Sequence, residues 1–110
     1  MVVMSNNPMV YVKRYSSEGE VVIAICDAEI LGTTLKDNNI KFYVDPAFYK
    51  GELVTLEKAL RILSEATIAN LIGNNIVEAA IQHGFIHPDA VIVINGVKHA
   101  QFAVLGGGNA

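Results

Sequence analysis

The chain of 110 residues carries a single cysteine, Cys26. One thiol excludes an intrachain disulfide and any zinc site built from several cysteines. It fits a reducing compartment. Charge is sparse as well: 17% of residues are charged, with eight cations, eleven anions and a net charge of −3. The cations are scattered along the chain. Binding to a phosphate backbone draws on clustered Lys and Arg, so this spacing disfavours direct nucleic-acid contact. Long apolar runs are missing too. The longest, residues 21–26, is far too short to span a bilayer. The N-terminus lacks the basic region and apolar stretch of a secretory signal. These absences together read as a cytoplasmic protein.

What is present is apolar. Hydrophobic residues make up 52% of the chain, more than an average soluble domain holds. Strands buried on both faces account for this simply; an apolar surface that meets a partner, including a second copy, is the alternative. The length suits one domain with a core of its own. Residues 1–8 read as a flexible leader, residues 9–105 as the domain, and residues 106–110 as a flexible, glycine-rich tail.

Local patterns give the elements. Residues 10–15 and 20–26 read as two strands joined by a turn through Gly19. Asp27 is placed to cap a short helical turn over residues 28–31, with Gly32 ending it. Ile40, Phe42 and Val44 alternate with Lys41 and Tyr43, as in a half-buried strand, and Asp45 with Pro46 ends it. Residues 48–51 read as a connecting loop. Thr55 is a good N-cap for a helix whose apolar stripe is Leu56, Ala59, Leu60, Leu63 and Ala66. That helical pattern continues through Ile68, Leu71 and Ile72 to Gly73. Asn75 with Glu78 resembles a capping box that opens a second helix, closed by Gly84. Asn95 and Gly96 lie between two apolar strands, the strongest short signal for a type I′ hairpin. The register puts Ile94 opposite Val97, Val93 opposite Lys98 and Ile92 opposite His99. The expected fold is α+β: a mixed, mostly antiparallel sheet of about five strands with two helices packed on it.

Several of these segments resemble an archaeal family catalogued as domain of unknown function 424. They are Tyr11-Val12-Lys13 at the start, Cys26 and Asp27 through Leu31 and Gly32, residues 65–73 with Glu65, Asn70 and Gly73, and the closing His99-Ala100-Gln101. Phe48, Tyr49 and Gly51 fit as well. Lys98 departs from the family pattern, where a proline is expected. The resemblance implies a small archaeal cytoplasmic α+β protein with no catalytic residue to carry over. Translation or RNA handling is a setting that suits such a protein.

His99 and Gln101 are two apart on a strand and share a face. They could recognise a ligand or a peptide edge, or simply be satisfied at the rim of the core. The Asn70 amide, in an apolar stretch, could read a ligand or satisfy backbone. Cys26 and His99 would act as nucleophile and base only with a third, orienting group, and none is identifiable. His83 and His87 have the spacing of one helical face, but Gly84 and Pro88 break any helix between them. No catalytic set, metal site or cofactor motif emerges. The expectation is a non-enzymatic binding protein for a protein or ribonucleoprotein partner. The alternative is a small enzyme or metabolite-binding domain with Asp27, Asn70, His99 and Gln101 in one pocket.

Overall fold

The computed structural model describes residues 8–104. The tail and nearly all of the leader lie outside that range. Two strands, β1 (Met9–Ser17) and β2 (Glu20–Asp27), form the expected hairpin. A short 3-10 turn (Ala28–Ile30) follows, then a two-stranded ribbon, β3 (Thr34–Asp37) and β4 (Ile40–Tyr43). Next come α1 (Pro46–Tyr49), β5 (Glu52–Thr55), α2 (Leu56–Leu63), β6 (Ile68–Ile72) and α3 (Asn74–Gln82). A second 3-10 turn (Pro88–Ala90) leads into the closing hairpin, β7 (Ile92–Ile94) and β8 (Val97–Ala103).

The main sheet has six strands in the order β5-β1-β2-β6-β8-β7, and the ribbon β3-β4 stands apart from it. Among the described strands of the main sheet only β2 and β6 pair in parallel; the other neighbours are antiparallel. The fold is therefore α+β with a mixed, mostly antiparallel sheet. Asn95 and Gly96 both take positive φ, and the register is Ile94 opposite Val97 and Ile92 opposite His99, as the sequence predicted. No described helix is long and apolar enough to cross a membrane.

One expectation fails in an instructive way. Residues 68–72 are not a continuation of the helix; they form β6, at the centre of the sheet. The helix stops at Leu63, Ser64 caps its C-terminal end, and Thr67 then grips the neighbouring strand. Thr67 Oγ1 accepts the Val21 N–H at 2.8 Å, and the Thr67 N–H reaches the Val21 carbonyl at 2.9 Å. Ile68, Leu71 and Ile72 fit a helical period, but a short apolar run fits a buried strand equally well. Pairing on both sides, with β2 and β8, decides the matter. The loop expected at residues 48–51 begins instead as α1. Asp45 caps it by accepting the Ala47 N–H at 2.9 Å, and Pro46 takes the first helical position.

The two faces of the sheet are buried differently. On one face Val10, Val12, Ile23, Ile25 and Leu71 pack with Leu63, Ile76 and Val77 from α2 and α3. Each large aliphatic chain fully buried there contributes about 1.5–3 kcal/mol. On the other face Ala24, Cys26, Ile72 and Ile94 meet Tyr49 of α1 and Leu35 of the ribbon. Beyond these short elements that second face is open: Ile68, Gln101 and Ala103 are exposed on it.

Candidate functional site

Strand alternation sorts the candidate residues before any distance is measured. Asn70 pairs with Gln101 across β6 and β8, Ile72 pairs with His99, and Ala24 of β2 stands beside Asn70. All project from the second face. Asp27 pairs with Val10, a residue of the helix-side core. It lies on the opposite side of the sheet. The four residues do not line one pocket, and Asp27 leaves the set.

Asp27 is buried, and its carboxylate is fully engaged. It makes no cap to the 3-10 turn that follows it. Instead Oδ2 accepts the Asn75 N–H at 2.9 Å and Oδ1 accepts the Ile76 N–H at 3.0 Å. These are donors left free by the first turn of α3. The capping box expected from Asn75 is replaced by this carboxylate from β2. Gly73 stands at the N-cap with φ 128°, and a Cβ there would lie 2.3 Å from Asp27 Cγ. Burial pushes the Asp27 carboxyl above its ordinary range, while the two backbone donors pull it back.

Asn70 is the centre of the second face. Its Oδ1 accepts the Tyr49 hydroxyl at 2.5 Å and lies 3.3 Å from His99 Nε2. An amide oxygen only accepts, so Nε2 carries the proton and Nδ1 keeps its lone pair. The His99 ring packs against Phe42 of the ribbon, centroids 5.0 Å apart. Burial lowers the His99 pKa and keeps the ring neutral. Burial likewise raises the Tyr49 hydroxyl above its ordinary value. In the sequence Phe48 and Tyr49 read as loop aromatics, not as part of a site. The signal was present: Asp45 followed by Pro46 is a helix start, and α1 is what brings Tyr49 over Ala24 to Asn70.

The rim is aromatic. Tyr15 stacks on Phe48 with centroids 5.6 Å apart, and its hydroxyl donates to the Phe48 carbonyl at 2.7 Å. Lys13 Nζ donates to the Ala47 carbonyl at 2.8 Å and sits over the Tyr15 ring. Together these contacts fix α1 at the edge of the open face. Gln101 is exposed beside Asn70, while His99 is nearly covered. Cys26 is wholly buried on this face, and burial first, then the neighbouring Asp27 charge, pushes its thiol up to about 12. Such a thiol is no nucleophile near neutral pH. His83 and His87 serve their own turns: His83 Nδ1 bonds the Ala79 carbonyl, and His87 Nδ1 accepts the Asp89 N–H.

The arrangement can present amide groups and aromatic edges to a partner. Of the chemistry-bearing residues, Cys26 is buried with its thiol pushed up, and the Asp27 carboxylate accepts two N–H groups of α3.

The fold is similar to that of a solved structure, the crystal structure of an uncharacterized conserved protein from the archaeon Methanopyrus kandleri. That chain is 22% identical, and the match covers 93% of this chain and 96% of that one with a TM-score of 0.80. No curated protein matches the sequence. The family model described as protein of unknown function (DUF424) matches residues 15–105, and the chain belongs to that family.

Proposed function

We propose that this chain is a non-enzymatic binding protein whose contact surface is the open part of the second sheet face, around Asn70 and Gln101. The partner is a protein or ribonucleoprotein, and archaeal cytoplasmic translation or RNA handling is the setting that suits it. One observation carries the reading. The Asn70 amide is fixed by Tyr49 and His99 at the floor of a face that α1 and the ribbon leave partly uncovered. A partly buried polar relay of this kind holds its amide in place before any partner arrives, which lowers the cost of binding. Exposed Gln101 and Ile68 flank it with one amide and one apolar side chain. The metabolite-pocket alternative loses support because Asp27 lies across the sheet.

The test is affinity capture from an archaeal lysate, with and without nuclease, using two baits. The wild-type chain is expected to retain a defined partner that an Ile68→Glu, Gln101→Ala bait of unchanged stability does not. Loss of the partner on nuclease treatment identifies a ribonucleoprotein. Identical capture by both baits removes this surface from the account. Turnover of a small molecule that stops on replacing His99 in a folded variant removes the non-enzymatic reading.

A further inference from the structure

The eight cations of the chain are scattered in sequence but not all in space. Three of them have carboxylate partners: Arg14 with Glu65, Lys58 with Glu52, and Lys98 with Glu78. Lys36 and Lys41 are arranged otherwise. They stand directly opposite one another across the β3-β4 ribbon. No ion pair among the described residues includes either of them. Like charges placed opposite on a ladder are destabilising. A two-stranded ribbon, itself marginal alone, is a costly place to keep such a pair.

The ribbon's two faces show what that pair is for. Its inner face puts Leu35 and Phe42 against the sheet, with Phe42 on the His99 ring. Its outer face carries Thr34, Lys36, Lys41 and Tyr43, all exposed, and Tyr43 is 54% exposed. Lys41 and Tyr43 are two apart on one strand and share that face. Two carboxylates near in sequence are committed elsewhere: Asp37 accepts the Asn95 N–H at 3.0 Å, and Asp45 caps α1. The outer face is thus cationic and carries an uncovered aromatic ring.

We propose that the outer face of the β3-β4 ribbon binds single-stranded nucleic acid, with Lys36 and Lys41 on backbone phosphates and Tyr43 stacked on a base. Phosphate relieves the lysine repulsion by charge complementarity. An acidic peptide would satisfy the lysines but has no planar base for the Tyr43 ring. A duplex would offer phosphates but no free base face. The inference uses a surface distinct from Asn70 and Gln101, so either reading can fail without the other.

The experiment is fluorescence anisotropy with the full chain and end-labelled oligouridylate and oligothymidylate over a series of salt concentrations. Two phosphate contacts on a single strand predict that log K falls against log salt with a slope of about −1.4. Binding of either oligonucleotide that depends on the two lysines carries the proposal, and the ratio between them reports whether the 2′-hydroxyl is read. The Lys36→Gln, Lys41→Gln double variant is expected to lose the slope. Tyr43→Ala is expected to weaken binding about tenfold at an unchanged slope. The double variant relieves repulsion and should melt no lower than wild type, so a folding defect does not confuse the result. Absence of binding at low salt, an unchanged slope in the double variant, or unchanged affinity in Tyr43→Ala overturns the proposal.

Discussion

Asp27 caps the helix α3 from 48 residues away, its carboxylate accepting the Asn75 N–H at 2.9 Å while the same group accepts Ile76 at 3.0 Å. The contact ties the end of β2 to the start of α3 and passes directly over Gly73. It is made possible by the parallel pairing of β2 with β6, which brings both strand ends to one edge. A carboxylate at a helix N-terminus also meets the positive end of the helix dipole.

Removing that carboxylate should therefore cost more than an exposed cap does. Asp27→Ala leaves two N–H donors without their partner in a buried site. The expected loss is about 2–3 kcal/mol, read from urea unfolding. Gly73→Ala is expected to destabilise by at least about 2 kcal/mol, because its Cβ meets Asp27 Cγ at 2.3 Å and Asp27 Cβ at 2.7 Å. In an Asp27→Ala background only the nearer of those clashes is gone, so part of the Gly73→Ala cost should vanish and part should remain. Strict additivity of the two changes would refute the contact.

The same carboxyl gives a pH dependence with a definite sign. Its folded pKa lies above the ordinary value of 3.8. Between those two values the folded chain binds more protons than the unfolded one, so stability falls as pH rises through that window and then levels. Asp27→Asn removes this ionisation. The stability difference between Asp27→Asn and wild type should shift in favour of the variant as pH rises from about 3 to 7, while other carboxylates cancel. A flat difference across that range would show that Asp27 titrates alike in both states.

Cys26 should be chemically silent in the native state. Its thiol is wholly buried and pushed up to about 12. Iodoacetamide at mildly alkaline pH is expected to leave the folded chain unmodified and to label it fully in urea, followed by mass spectrometry. Prompt labelling without denaturant would mean that the face under α1 opens readily.

The Tyr49, Asn70 and His99 relay can be tested by changing its centre. Asn70→Asp replaces an amide oxygen with a carboxylate about 3.3 Å from His99 Nε2. An opposite charge that close favours the imidazolium. The His99 pKa, read from its ring-carbon proton resonance, should rise from below the ordinary 6.5 toward or above it. Tyr49→Phe removes a single hydrogen bond from the same oxygen and is expected to cost about 0.5–1.5 kcal/mol. No movement of the His99 titration in Asn70→Asp would break the relay.

Much of this fold could be read from the chain because its signals are local. A two-residue type I′ hairpin requires positive φ at both central positions, which Asn95 and Gly96 tolerate and adopt; that turn sets the register of Val93 on Lys98 and Ile92 on His99. Thr55 and the stripe of Leu56, Ala59 and Leu63 specify a helix start and its buried face within one short segment, and Thr55 Oγ1 does accept the Lys58 N–H at 3.2 Å. The closeness of Asn70, His99 and Gln101 depended on β6 being a strand, which residues 68–72 do not decide alone. Their apolar pattern serves a buried helix or a buried strand, and only the hydrogen-bonding partners on β2 and β8 choose between them. Asp27 shows the same limit. A cap next to its helix is a local choice, but this carboxylate is desolvated and committed to a helix far along the chain, and no pattern around residue 27 encodes that contact. Local backbone preference is written in neighbouring residues; the pairing of distant strands, and the polar contacts that follow from it, exist only once the chain has closed on itself.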